Sequence, residues 1–341
     1  MNNTVQDPPR NDFDELEEND RKRGGIKSDL TDSQGRRYND GKHGKMNINN
    51  NILPYDHNRV KLETPIKGIN YVNASWIQKV KESNAYDDLY DFMPASSMSI
   101  ILTQDPTADT KHHYLRLIHE QRIDVVVRIG SDKNLINWNK NSFKNLSTER
   151  IECVELNDFI IREKIDIFAK QGMSTIHHRT NIFHFTAWPS DDNFGVCDSK
   201  NLLTFISLVR REIGKPTTDF TIAAHDSTGG VGGASTFIVM YQMLHDLDSN
   251  VQEVASGSEQ QANRFLNLFD TVNELRKKRA HMIQTFSNYK FILSTLACYA
   301  SNKSMFDDVL DEKNDKEGDD IFNYYSASDE DIHPESPIYV N

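Results

Sequence analysis

The sequence predicts an α/β or mixed α+β domain, and three observations carry the prediction. Short apolar segments with strand character alternate with longer segments of helical spacing between residues 46 and 300, no internal repeat occurs, and one strand runs through a glycine-rich turn directly into a long apolar helix. In chain order, SIILTQ (99–104) is rich in β-branched residues and reads as a buried strand, and KHHYLRLIHEQ (111–121) places apolar residues at three-and-four spacing, the mark of a helix. IDVVVRI (123–129) and NIFHFTAW (181–188) are again strand-like, and SKNLLTFISLVRREI (199–213) is helical. DFTIAAH (219–225) is the strand that enters the glycine-rich turn, and ASTFIVMYQMLHDL (234–247) is the helix that leaves it. NRFLNLFDTVNELRKKR (263–279) and NYKFILSTLACYA (288–300) close the series as helices.

The ends of the chain differ from this body. Of a net charge of -12, residues 301–341 hold -9 and residues 1–45 hold -1, which leaves the central body near -2. Residues 1–45 are polar and lack sustained periodicity, so they are expected to be disordered or loosely attached to a domain spanning 46–300. The acidic segment 301–341 has too little apolar surface to fold alone and is expected to be disordered. The charge argues against nucleic acid as a partner. No apolar run approaches the length of a membrane span, and the first twenty residues lack the basic and apolar regions of a secretory signal, so the expected location is cytoplasmic. Cys153, Cys197 and Cys298 lie far apart and in no CxxC spacing, which excludes a disulfide framework or a cysteine zinc site, and buried free thiols are expected.

The turn DFTIAAHDSTGGVGGASTF is the most informative stretch. A strand, a glycine-rich turn and a helix N-terminus together present backbone N–H groups and a positive helix end, a geometry suited to an anion. A nucleoside-triphosphate loop is excluded because the turn has no Lys, and a dinucleotide fingerprint because Ser235 stands where the third glycine belongs. Asp226-Ser-Thr-Gly matches aspartyl-phosphate and aspartic-protease signatures over four residues only, without a partner motif.

The turn resembles the protein tyrosine phosphatase signature, a strand, then HCxxGxxR[ST]G, then a helix opening TF. Here His225 is followed by Asp226, a glycine run one residue longer, and Thr236-Phe237. The resemblance extends in order through NNNILPYDHNRVKL (49–62), NYVNASWI (70–77, like DYINASYI), TQDP (103–106, like TQGP) and YLRLIHEQ (114–121, like FWRMVWEQ). It continues through HFTAWPS (184–190, like HxxxWPD) and FLNLFDTVNELRKKRAHMIQTFSNYKFI (265–292, like the last helices and the QTxxQY loop). It implies a tyrosine-phosphatase fold, one twisted mixed sheet with helices on both faces.

The same resemblance implies that the chemistry is absent. That reaction needs a low-pKa thiolate, an Arg gripping phosphoryl oxygens and an Asp that protonates the leaving phenol. Those positions carry Asp226, Gly232 or Gly233, and Ser190, with Asp191 next door as a partial replacement for the acid. The substrate-stacking Tyr falls at Asn49, the substrate-backbone Asp at Asn51, and the glycine of TQGP at Asp105; Gln284 is retained and the second Gln is Asn288. No catalytic residue, metal or cofactor is expected. His225, Asp226, Asn49, Asn51, Asp191, Gln284 and Asn288 form the expected partner-binding pocket, and a carboxylate at the anion position repels phosphate.

The function implied is that of a pseudophosphatase that binds a protein, a phosphorylated kinase sequestered or inhibited by it. Two groups are similar in this respect, the nematode egg-cortex pseudophosphatases that inhibit a DYRK-type kinase in the oocyte-to-embryo transition, and the phosphatase-like proteins of insect-parasitoid viruses. The first adds a cortical location to the cytoplasmic one. Two other readings stand beside it: an active hydrolase with chemistry relocated to Asp191 or Asp226, and a scaffold whose acidic tail, with Ser328, Ser336 and Tyr339 as phosphorylation sites, recruits partners.

Overall fold

A computed structural model describes residues 8–23, 46–66, 69–79, 98–131, 142–143, 145–189, 195–214, 220–249 and 267–301. Its elements are α1 (Pro8–Arg23), β1 (Arg59–Ile66), β2 (Ile69–Gln78), β3 (Met98–Gln104), α2 (Lys111–Glu120), β4 (Val125–Ile129), β5 (Ser142–Phe143) and β6 (Leu146–Asn157). There follow β7 (Ile160–Gln171), β8 (Ser174–Phe185), α3 (Ser199–Ile213), β9 (Phe220–Asp226), α4 (Gly233–Ser249), α5 (Leu268–Lys278) and α6 (Phe286–Ser301).

The strands form one mixed sheet in the order β1-β2-β3-β9-β4-β8-β7-β6-β5. Its centre, β3-β9-β4-β8, is parallel, and the flanks are antiparallel. Parallel strands need both faces covered, so their residues are apolar on both sides. Side chains alternate in destination with the period of a strand. Ile100, Leu102, Val125, Val127, Ile222 and Ala224 enter the core shared with α3, α4, α5 and α6, while Ile101, Val126 and Ala223 enter the core shared with α2. The expected fold class, one mixed sheet with helices on both faces, is the one observed.

The register places the site. Thr103 and Arg128 both pair with His225, and Gln104 pairs with Asp226, so the C-terminal ends of β3, β9 and β4 lie side by side. Whatever follows these three strands is brought to one edge of the sheet, at the start of α4.

Several expectations are corrected. Residues 8–23, within the segment expected to be disordered or loosely attached, form α1, which docks on α5 and α6. Phe13 and Leu16, three residues apart on one helical face, are buried. Phe13 meets Phe286 and Tyr289 at ring separations of 5.9 and 6.1 Å, and the Arg276 guanidinium lies 5.5 Å from its ring centre. Glu17 and Asp20 both pair with Arg276. With only two apolar anchors among charged residues, this helix has almost no hydropathic period and is held by tertiary contacts. Residues 24–45 and 302–341 lie outside the described residues.

The long β6–β7 ladder is also absent from the strand reading, since it carries cross-strand ion pairs, at half-buried positions and at the buried Glu163, where apolar residues would mark a strand. Arg162 and Lys164 reach Glu152 at 3.1 and 3.3 Å, and Arg150 reaches Glu163 at 3.1 Å. The strand expected at 181–188 begins earlier, at Ser174, and ends at Phe185. Cys153, expected to be buried, is exposed on β6, while Cys197 and Cys298 are half-buried. Among the described residues no helix is long and apolar enough to cross a membrane.

Leu16→Ala is expected to destabilise the protein by about 2–5 kcal/mol, the range for truncating a fully buried leucine. A denaturant titration checks this, and an unchanged midpoint would mean that α1 is not docked in solution.

Candidate functional site

The glycine-rich turn connects β9 to α4, and its conformation follows from its sequence. Gly229 and Gly230 have φ of 92° and 80°, a region open to glycine and strained for other residues. A Cβ on Gly230 would stand 2.6 Å from the Thr103 carbonyl oxygen, so the turn lies directly against β3.

Asp226 sits at the centre of the turn and is 2% exposed. Its Oδ1 accepts from the Thr228 N–H at 3.0 Å, the Thr228 hydroxyl at 2.7 Å and the Gly230 N–H at 2.6 Å, and its Oδ2 accepts from the Ala234 N–H at 2.9 Å. The next inward donor, the Gly232 N–H, is taken by the Thr228 hydroxyl oxygen at 2.9 Å. All four bonds to Asp226 use it as an acceptor, as an ionised carboxylate does. Burial pushes its pKa up, and the N–H and hydroxyl donors of the turn pull the other way. The anion that the turn is shaped to hold is thus a side chain of the turn itself.

A second layer of charge lies behind it. His225 is 1% exposed, and its Nδ1–H donates to Asp105 Oδ1 at 2.6 Å, while Arg128 Nη2 donates to Asp105 Oδ2 at 3.1 Å. Tyr114 packs edge-on against His225 with ring centres 5.2 Å apart. The Asp105 N–H donates to the Asp226 carbonyl at 2.8 Å, which ties the end of β3 to the start of the turn. Burial alone would raise the Asp105 pKa, but the His225 hydrogen bond and the His225 and Arg128 charges hold it below the usual carboxylate range. Two neighbouring carboxyls therefore shift in opposite directions, because one is bonded to His225 and faces the Arg128 guanidinium while the other, more deeply buried, has only neutral donors. Asp105 stands out in the sequence only as the change from TQGP to TQDP, and the register of β3, β9 and β4 gives it its partners.

The turn is also clamped from α5. Buried Arg279 donates to the Gly229 carbonyl at 2.6 and 3.1 Å, to Ser75 Oγ at 2.9 Å and to Asn73 Oδ1 at 2.8 Å. Burial lowers its pKa to about 10, which leaves it charged at neutral pH. Arg276 donates to the Met282 and Ile283 carbonyls, and the Gln284 N–H donates to the Val231 carbonyl, so α5 positions the loop before α6 against the turn.

Above the turn lies a cleft of about 750 Å³. Asn49, Asn51, Gln284 and Asn288 line it, joined by Asn50, Ser227, Thr228 and Thr285 and by the apolar Ile48, Trp188 and Pro189. The turn at 49–52 is held by Asn49, whose Oδ1 accepts from the Asn51 N–H and whose carbonyl accepts from the Ile52 N–H. Asn288 is turned inward: its Nδ2 donates to Thr236 Oγ1 at 3.2 Å, and it is hydrogen-bonded to Thr285. His225 and Asp226 are not on the wall; both lie beneath the floor. Ser190 and Asp191 lie outside the described residues.

Gly232 and Gly233, alternative positions for the missing Arg, differ in surroundings. A Cβ on Gly233 would stand 2.5 Å from Ile129 Cγ2 and 3.0 Å from the Trp188 indole, inside the core. A Cβ on Gly232 would meet only the Thr228 side chain within 3.4 Å, its hydroxyl at 2.8 Å, with Asp226 Oδ2 3.6 Å away. Gly232 is therefore the place from which a side chain could reach the cleft. No charged residue lines the cleft among the described residues, and no group of three metal-ligating side chains occurs among them. A unit negative charge brought within ~4 Å of an ionised Asp226 would meet a repulsion of about 4 kcal/mol at an effective dielectric constant near 20.

A family model described as Protein-tyrosine phosphatase matches residues 43–298. Among curated proteins, the chain is 28% identical to human receptor-type tyrosine-protein phosphatase alpha over 264 residues, covering 72% of this chain and 28% of that protein. It is 30% identical to mouse receptor-type tyrosine-protein phosphatase epsilon over 263 residues, covering 73% of this chain and 33% of that protein. The chain thus spans a third or less of these relatives' length. Among solved structures, the catalytic domain of human protein tyrosine phosphatase non-receptor type 18 superposes with a TM-score of 0.63 at 19% identity, covering 87% of this chain and 96% of that one. Its relative "PTPN18 in complex with HER2-pY1196 phosphor-peptides" superposes with a TM-score of 0.64 at 19% identity, covering 85% and 92%.

Gly230→Ala should cost at least about 2 kcal/mol, since the added methyl meets both a left-handed backbone and a fixed carbonyl; urea unfolding measures it. Asp105→Asn should cost about 2–4 kcal/mol at neutral pH by leaving Arg128 and His225 without their carboxylate. Because the folded-state pKa of Asp105 is depressed, its stabilisation is present above the ordinary carboxylate pKa and is lost as the pH falls through the lowered one. The stability difference between wild type and variant should therefore shrink in acid, and a difference independent of pH would contradict this role.

Proposed function

The chain belongs to the protein tyrosine phosphatase family, and on that premise we propose that it is a catalytically inactive member that works by binding a protein. The observation that carries the proposal is the Asp226 carboxylate, buried at the nucleophile position with both oxygens engaged by the turn. A thiolate at that position attacks phosphorus; a carboxylate whose two oxygens are both taken by the turn's own donors is held away from that role. The arginine that would grip the phosphoryl group is a glycine at Gly232 and at Gly233 alike, and the cleft supplies no other cation among the described residues.

A hydrolase using Asp226 is disfavoured by the same geometry, because attack would require Asp226 to leave at least three N–H groups and a hydroxyl unpaired. The scaffold, by contrast, keeps the apparatus that orders the cleft: the Arg279 clamp, the Arg276 clamp and the Asn49 turn. A recess held in place by these contacts, with neutral lining among the described residues, is suited to binding. The partner we assign to it is a protein, with a phosphorylated kinase, sequestered or inhibited in the cytoplasm or at the cell cortex, as the one implied by the resemblance to the egg-cortex pseudophosphatases.

The full chain is expected to release no phosphate from p-nitrophenyl phosphate at any pH above the protein-free blank. Turnover that Asp226→Ala abolishes would sink the proposal. Affinity purification followed by direct binding of the main hit, in phosphorylated and unphosphorylated forms, tests the partner.

A further inference from the structure

We infer that the cleft receives an uncharged, hydrogen-bonding side chain on a partner polypeptide, an unmodified tyrosine being the best match, and that phosphorylation of that residue ejects it. This rests on the inactive, protein-binding reading above and names the chemistry that the same cleft recognises.

The inference follows from where the donors and charges go. In the turn, the N–H groups of Thr228, Gly230, Gly232 and Ala234 already have acceptors inside the turn, three on Asp226 and one on the Thr228 hydroxyl. A phosphoryl group seated there finds these four donors occupied. The cations nearest the turn are likewise committed: Arg279 to the Gly229 carbonyl, Ser75 and Asn73, and Arg128 to Asp105. Two acids, Asp226 and Asp105, lie below the floor, and the lining residues among those described are all neutral. A dianion would lose its hydration, gain no ion pair and face the Asp226 carboxylate.

What the lining does offer is polar groups and apolar groups side by side. Asn49, Asn50, Asn51 and Gln284 bring amide groups that can both donate and accept, and Ser227 is an exposed hydroxyl-bearing residue at the floor. Ile48, which is 42% exposed, faces the same space together with Trp188 and Pro189. A phenol has a flat apolar ring for the apolar lining and a hydroxyl that both donates and accepts for the amides. The cleft's volume of about 750 Å³ leaves room for flanking peptide beside the ring.

The test is an array of tyrosine-centred peptides, each present as the Tyr, phosphotyrosine and Phe form, overlaid with the full-length chain, with the bound sequences then titrated in solution. The Tyr forms should bind about tenfold or more tighter than their phosphotyrosine forms, and more tightly than the Phe forms. Asn50, exposed at the rim, allows two probes that leave the fold intact: Asn50→Trp should block Tyr binding, and Asn50→Arg should narrow the gap between Tyr and phosphotyrosine by supplying the missing cation. Equal or tighter binding of phosphotyrosine forms would overturn the inference, as would an array without tyrosine-dependent binding or binding indifferent to Asn50→Trp. Phosphotyrosine preference without phosphate release would overturn this inference alone, whereas phosphate release would overturn the inactive reading beneath it.

Discussion

Four hydrogen bonds converge on the Asp226 carboxylate from the Thr228 N–H and hydroxyl, the Gly230 N–H and the Ala234 N–H, and the rest of the site is arranged around them. A glycine-rich turn ahead of a helix is an unfinished structure, because its inward N–H groups need an anion. In a phosphatase that anion includes the substrate. Here the chain supplies it from within, so the turn is complete in the absence of any ligand. Burial raises the free energy of the carboxylate, and the donors offset that cost, which explains why an acid is tolerated at 2% exposure in the middle of the fold.

That arrangement has consequences outward from the turn. A buried carboxylate under the floor needs the neighbouring acid to be neutralised, and Asp105 is, by His225 on one oxygen and Arg128 on the other. Arg276 of α5 and Arg279 at its C-cap both hold loop carbonyls: Arg279 grips Gly229, and Arg276 grips Met282 and Ile283. Arg276 also receives Glu17 and Asp20 from α1, so the N-terminal helix, the loop before α6 and the turn form one connected polar framework within the larger apolar core. The cations of the region are spent on holding the scaffold, and the cleft above is left with amides, hydroxyls and an apolar wall. Its chemistry suits recognition of neutral groups.

Much of the fold is legible in the chain. β3, β4, β9, α2, α3, α4 and α6 lie within a few residues of where alternation or three-and-four spacing places them, because their burial is regular and hydropathy records it. Elements stabilised by charge are not legible in this way. The β6–β7 ladder carries Glu152, Arg150, Arg162, Lys164 and Glu163, whose pairing depends on cross-strand register, and α1 carries Phe13, whose ring partners Phe286 and Tyr289 are more than 250 residues away. In the site, Asn49, Asn51, Gln284 and Asn288 do line the cleft, whereas Asn50, Ser227, Thr228 and Thr285 emerge only from the coordinates.

The sequence by itself determined which chemistry the chain carries at each motif: a carboxylate after His225, glycine at both positions open to the gripping arginine, and asparagines in the two substrate-contacting places. Residue identity and local spacing are enough for that, since motif order along the chain reflects the order of elements. Only the tertiary structure decided what those residues do. Whether Asp226 points into the cleft or into its own turn depends on φ angles of two glycines and on the start of α4. The partnership of Asp105 with His225, 120 residues apart in sequence, depends on β3 and β9 being paired in parallel and in register. Directional hydrogen bonds and charge pairs act over a few ångströms in space, and no spacing along the chain encodes that distance.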